Sequence, residues 1–121
     1  MILSLAPAGS LSVDGFDRRF LEGSTWNQSG QKVKHIETHA AHIFLCGDQA
    51  FKIKKPVSYS YLDFSSLDKR RAVLNRELDL NRIAAPTIYQ RVTEVLGEPV
   101  LVMRRFKVID LLSNLVRESE L

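Results

Sequence analysis

Few of the usual signposts of function are present in this sequence. Its 121 residues include a single cysteine, Cys46. No disulfide can close within the chain, and a reducing, cytoplasmic setting is expected. No apolar run approaches the roughly 20 residues that cross a bilayer, so no membrane partner is expected. Residues Met1 to Ala8 are apolar but lack a basic flank, and Pro7 interrupts them, which does not read as a secretory leader. The pattern G-x-x-x-x-G-K-S/T is missing, which excludes a P-loop in this chain. G-x-G-x-x-G and G-x-S-x-G are missing too, which excludes the standard protein-kinase phosphate loop and the nucleophile elbow. Excess charge is small: 17 basic against 14 acidic residues leave a net charge of +3. That favours an anionic ligand and is too weak to argue for nucleic acid.

Metal-binding patterns are also thin. His35, Glu37 and His39 would line one strand face with His42 near, a group that could bind zinc. No Pro-Cys-x-x-Cys run follows Glu37, and H-E-x-x-H is absent, so surface or turn histidines are expected instead. The basic clusters Lys52-Ile53-Lys54-Lys55, Lys69-Arg70-Arg71 and Arg104-Arg105-Phe106-Lys107 are interspersed with Asp63, Asp68, Glu77 and Asp79. Solvated faces and phosphate contacts account for them, and nucleic acid is not the expected partner.

What is there is a readable order of elements. Residues 1–31 are punctuated by Gly9, Ser10, Gly15, Gly23, Ser24, Ser29 and Gly30 and form a weakly patterned extension, with one short helix expected around Gly15 to Leu21. Val33 to Ile36 and Ala41 to Leu45 read as two strands. Gly47-Asp48 is a hairpin turn, and a third strand runs from Ala50 to about Lys54, ended by Pro56. Tyr59 to Phe64 is an aromatic connector. Ser65-x-x-Asp68 resembles a capping box and predicts a helix over 66–83, with Leu67, Leu74, Leu78 and Asn81 on one stripe and Val73, Leu80 and Ala84 beside it. Ile88 to Val95 and Val100 to Phe106 form a hairpin across Gly97-Glu98, and Val108 to Val116 reads as a last helix. The expected fold is α+β: a five-stranded antiparallel sheet, one long helix after the third strand and a C-terminal helix.

Lys52 stands out within this order. Strand alternation puts Ala50, Lys52 and Lys54 on one face. In kinases a strand lysine holds the α- and β-phosphates and is positioned by a helix glutamate. A small residue stands two places before it, as in V-A-I-K, and Ala50 has that offset from Lys52. Lys54 has Lys52 at the same offset, so Lys52 is preferred and Lys54 is the fallback. Taken alone, a lysine here reads better as part of a basic edge strand with solvated lysines, and the helix and later strands turn the reading toward Lys52. Glu77, about three turns into the helix beside Val73 and Leu80, is the expected partner.

Several runs carry a family resemblance. They are Glu37-Thr38-His39, Phe44-Leu45-x-Gly47-Asp48-x-Ala50-Phe51-Lys52-Ile53-Lys54-Lys55-Pro56-Val57, Leu62-Asp63-Phe64-Ser65, Arg76-Glu77-Leu78-x-Leu80-Asn81-Arg82 and Ala85-Pro86-x-Ile88-Tyr89. Together they resemble the amino-terminal lobe of aminoglycoside-phosphotransferase-like proteins, closest to the bacterial group often fused to a P-loop domain. The resemblance spans about residues 35 to 107. It implies a kinase-like N-lobe over 32–107, with 108–121 starting the linker to a carboxy-terminal lobe. It also implies ATP or GTP with magnesium, Lys52 on the phosphates and Glu77 orienting it. His39 would lie at the phosphate-covering turn, and Met103 and Arg104 in the hinge that meets the adenine. There the chain departs from the family, with Ala40-Ala41 where a bulkier residue usually follows the histidine. The family's catalytic and magnesium-binding aspartates lie in the other lobe, and no H-x-D occurs here. The chain alone is therefore expected to be inactive. The alternative is a non-catalytic module that pairs with itself or with a separate partner through its unpaired lobe face and the 108–116 segment.

Overall fold

Apolar runs bounded by turn residues build the sheet from Val33 onward. The computed structural model describes residues 15–60 and 62–105. Three strands come first: β1 (Val33–Glu37), β2 (Ala41–Cys46) and β3 (Gln49–Lys54). A small hairpin follows, β4 (Ser58–Tyr59) with β5 (Leu62–Asp63), where the sequence reads only as a connector. Then come helix α1 (Leu67–Ala84) and the hairpin β6 (Tyr89–Val95) and β7 (Glu98–Arg104). The main sheet has five strands in the order β1-β2-β3-β7-β6, antiparallel throughout. The fold is α+β, with its one described α-helix after the third strand. The expected helix over Val108 to Val116 lies outside the described residues. Among the described residues no helix is long and apolar enough to cross a membrane.

Both faces of the sheet are covered, which is why β2 is buried along its whole length. On one face Ile43, Leu45, Ala50, Leu101 and Met103 pack with Leu74 and Leu78 of α1 and with Ile88. On the other, Phe44, Phe51, Ile53, Val100 and Val102 pack under Phe16, Phe20 and Trp26. The extension that reads as weakly patterned is therefore, from Gly15 on, a layer sharing the sheet's core. It is built from two short 3-10 helices, Arg18–Leu21 and Gly23–Trp26, in place of the single helix expected over 15–21. The Trp26 ring stacks on Phe51 at 4.1 Å between centroids, and its Nε1 donates to the Phe20 carbonyl at 2.9 Å.

The helix departs from expectation in its cap and its stripe. Ser66, one residue past the expected position, is the N-cap, and its Oγ accepts from the Lys69 amide at 3.2 Å. Ser65 belongs to the preceding turn, donating its amide to Asp63 Oδ1 at 3.0 Å. Replacing Ser66 by Ala should therefore cost about 1 kcal/mol, and Ser65→Ala close to nothing, in urea unfolding. Arg70, Leu74 and Leu78 form the buried stripe, whereas Leu67 and Leu80 are exposed. Leu80 is two residues from Leu78, about 200° around the helix, so it turns away from the sheet. The last hairpin turns at Leu96 and Gly97, one residue before the expected place. Both have positive φ (54° and 79°), the shape that suits the twist of a two-residue hairpin.

Candidate functional site

Lys52 lies opposite Ile43 on β2 and Leu101 on β7, both residues of the helix-side core. Alternation therefore sends the Lys52 and Lys54 side chains toward α1. Glu77 precedes the buried Leu78, so its carboxylate sits at the margin of the helix's apolar stripe. Both of its oxygens are used. Lys52 Nζ is 2.6 Å from Oε2, and Lys54 Nζ is 3.1 Å from Oε1. The side chains are only 13% (Lys52), 11% (Lys54) and 20% (Glu77) exposed, so water screens them weakly. Lys54 also stands 5.3 Å from the centroid of the Phe64 ring. Asn81 Nδ2 donates to the Glu77 carbonyl at 2.8 Å and ties the next helical turn to this one.

Preferred and fallback lysine thus meet the same carboxylate. The charge count follows: two ammoniums face one carboxylate, which leaves one positive charge unmatched within the cluster. Buried charge seeks a counter-ion. The titration directions report the same imbalance. Burial pushes the Lys54 ammonium below its ordinary value, and the charge of Lys52 pushes the same way against Glu77. Burial would raise Glu77, but the two ammoniums outweigh it and the carboxyl ends below its usual range. Half-buried Tyr89 is raised by burial and by the Glu77 charge.

The other expected site residues are placed differently. Ala50 and Met103 face each other across β3 and β7 and are fully buried in the helix-side core. Arg104 is exposed opposite Gln49, three residues along β3 from Lys52. His39 lies in the β1–β2 turn, exposed, and stacks on Tyr59 of the small hairpin with centroids 5.2 Å apart. Of the expected set, only Lys52, Lys54 and Glu77 form one contact cluster.

Two features escaped the sequence reading. His42, expected at a surface or turn, is 2% exposed, and its Nδ1 is 2.9 Å from His35 Nε2. Burial, with the charges of His35 and Lys55, pushes the His42 imidazole down to about 4. Arg70 is also buried. Its Nε donates to Glu98 Oε2 at 2.8 Å and its Nη1 to the Phe64 carbonyl at 2.8 Å, which ties α1 to β7 and to the small hairpin. Its place four residues before Leu74 on the apolar stripe was a usable signal. Among the described residues no group of three His, Cys, Asp or Glu is placed to hold a metal ion.

Comparison with known proteins finds mycobacterial relatives. Uncharacterized proteins of Mycobacterium bovis and of two Mycobacterium tuberculosis strains are each 37% identical to this chain over 86 residues. The match covers 66% of this chain and 17% of each relative, so the chain corresponds to a minor part of their length. No family model matches, and no solved structure does.

Proposed function

We propose that this chain is the nucleotide-holding lobe of a kinase-like small-molecule phosphotransferase, similar to aminoglycoside-phosphotransferase-like proteins and using ATP or GTP with magnesium. The observation that carries this reading is the Lys52–Glu77–Lys54 cluster between a central strand and the helix. Its unmatched positive charge suits a polyphosphate. Glu77 fixes both ammoniums, so little reorganisation is needed when phosphate oxygens arrive. The base would approach the Met103–Arg104 end of β7. By the same resemblance the magnesium-binding aspartate belongs to the carboxy-terminal lobe.

Calorimetric titration of the chain with MgATP and MgGTP tests the reading. Saturable binding is expected, weakened about tenfold or more by Lys52→Ala, since a lost charge-assisted contact of about 1.5–3 kcal/mol has that effect. The surface change Arg76→Ala should leave it intact. Heat that does not saturate, or Lys52→Ala binding as well as the unaltered chain, would exclude the assignment. With no H-x-D in its sequence, the chain by itself is expected to transfer no phosphoryl group to aminoglycosides or small alcohols above the uncatalysed rate.

One observation favours the second reading, a module that self-associates. Leu80 and Ile83 are exposed near the end of α1, at 65% and 85%. Sedimentation at micromolar concentration would show dimers, lost on Leu80→Lys, if that face pairs with a second copy.

A further inference from the structure

Where the N-terminal aromatic layer meets the start of α1 at the edge of the sheet, we propose a second binding site, a cavity that takes a small neutral aromatic molecule with one hydrogen-bonding group. The cavity measures about 190 Å³. A cavity of about 150 Å³ in another protein accepts benzene, so a single substituted six-membered ring matches the size. Phe16, Phe20, Ile53 and Leu96 give it apolar walls.

Arg70, Glu98 and Asp17 on its walls are matched inside the protein, and Lys54 turns its ammonium away from the cavity, toward α1 and Glu77. Arg70 holds Glu98 at 2.8 Å, Lys54 holds Glu77 at 3.1 Å, and Asp17 holds Arg19 at 2.6 Å. A charged ligand would have to break one of these pairs, so the chemistry selects a neutral one.

One polar atom on the wall is left over. His42 is 2% exposed, and its Nδ1 is engaged by His35 Nε2 at 2.9 Å. Its Nε2 faces Gly15, another lining residue, 3.7 Å from where a Cβ there would stand. That Nε2 makes no hydrogen bond among the described residues. It opens onto the cavity, since among the described residues no fully buried side-chain nitrogen or oxygen lacks a partner. A ligand hydroxyl satisfies it in either tautomer, because a hydroxyl both donates and accepts. The Phe16 ring, 4.9 Å from the His42 ring, adds an aromatic face.

Phenol is the probe, with benzene as its apolar counterpart, titrated into the full chain at pH 7.5 and followed by amide chemical shifts. Phenol should shift residues 15–20, 42 and 53 saturably, with a dissociation constant on the order of 1 mM. Ser65→Trp, which plugs the exposed rim, should abolish those shifts. His42→Phe should weaken phenol about fivefold and leave benzene unchanged, since the lost contact is one hydrogen bond. Nuclear Overhauser contacts from phenol protons to Phe16 and Ile53 need no variant and should be seen in the unaltered chain. Absence of saturation, shifts that persist in a folded Ser65→Trp chain, or contacts elsewhere would each overturn the proposal.

Discussion

Glu77→Gln is expected to lower the unfolding free energy by about 3 kcal/mol, the largest effect of any change in the lysine cluster. The substitution keeps the side chain's size and removes the one negative charge that, among the described residues, pairs with two ammoniums that are 13% and 11% exposed. Those ammoniums would then repel each other away from water. Lys52→Met and Lys54→Met should behave differently. Each leaves one ammonium on one carboxylate, a balanced pair, and trades a buried charge for apolar packing. Each is expected to stay within about 1 kcal/mol of the unaltered chain. A double-mutant cycle of Lys52→Met with Glu77→Gln should show strong non-additivity, because Lys52→Met relieves the repulsion that Glu77→Gln leaves. Equal losses for all three single variants in urea unfolding would show that the positive charge is matched by another group.

Acid should destabilise the fold through His42. In the unfolded chain its imidazole titrates near 6.5, and in the folded chain it is pushed down to about 4. The unfolded state therefore binds more protons between those values. Stability from this group is complete above about pH 6.5 and falls as pH drops toward 4, by up to about 3 kcal/mol. The groups facing it include His35 at 2.9 Å and the rings of Phe16 and Phe44. Lys55 and Glu37, which form an ion pair with each other, also act on it. Glu98 works the other way, since burial raises its carboxyl despite Arg70. The decisive quantity is thus the difference in pH slope between the unaltered chain and His42→Phe. Urea midpoints from pH 4 to 7.5 should show a shallower slope for His42→Phe. Parallel curves would remove His42 as the cause.

These two sites differ in how far the sequence exposed them. Lys52 and Glu77 were readable because strand alternation and helical repeat act over a few residues. The choice between Lys52 and Lys54 was not, since residues two apart share a face and one carboxylate offers two oxygens. The cap was missed by one position because Ser65 and Ser66 are adjacent, and only the turn at Asp63 decides between them. Arg70 was hidden by its charge, although its place on the Leu74–Leu78 stripe marked it. The aromatic layer was hidden more deeply. Phe16 and Phe20 stand four apart, a helical spacing, but Trp26 continues neither that period nor a strand's, and their partners Phe44 and Phe51 lie far along the chain. Burial of His42 follows from that layer and was invisible for the same reason.

The central claim is that the cluster at Lys52, Lys54 and Glu77 holds the phosphates of a nucleotide. Amide chemical shifts of the full chain, recorded while MgATP is added, test it most directly. The claim predicts saturable shifts at Lys52 to Lys54, at Glu77, in the 38–41 turn and at Met103 to Arg104. Shifts confined to the basic surface of Lys32, Lys34 and Arg105, or none that saturate, would contradict it.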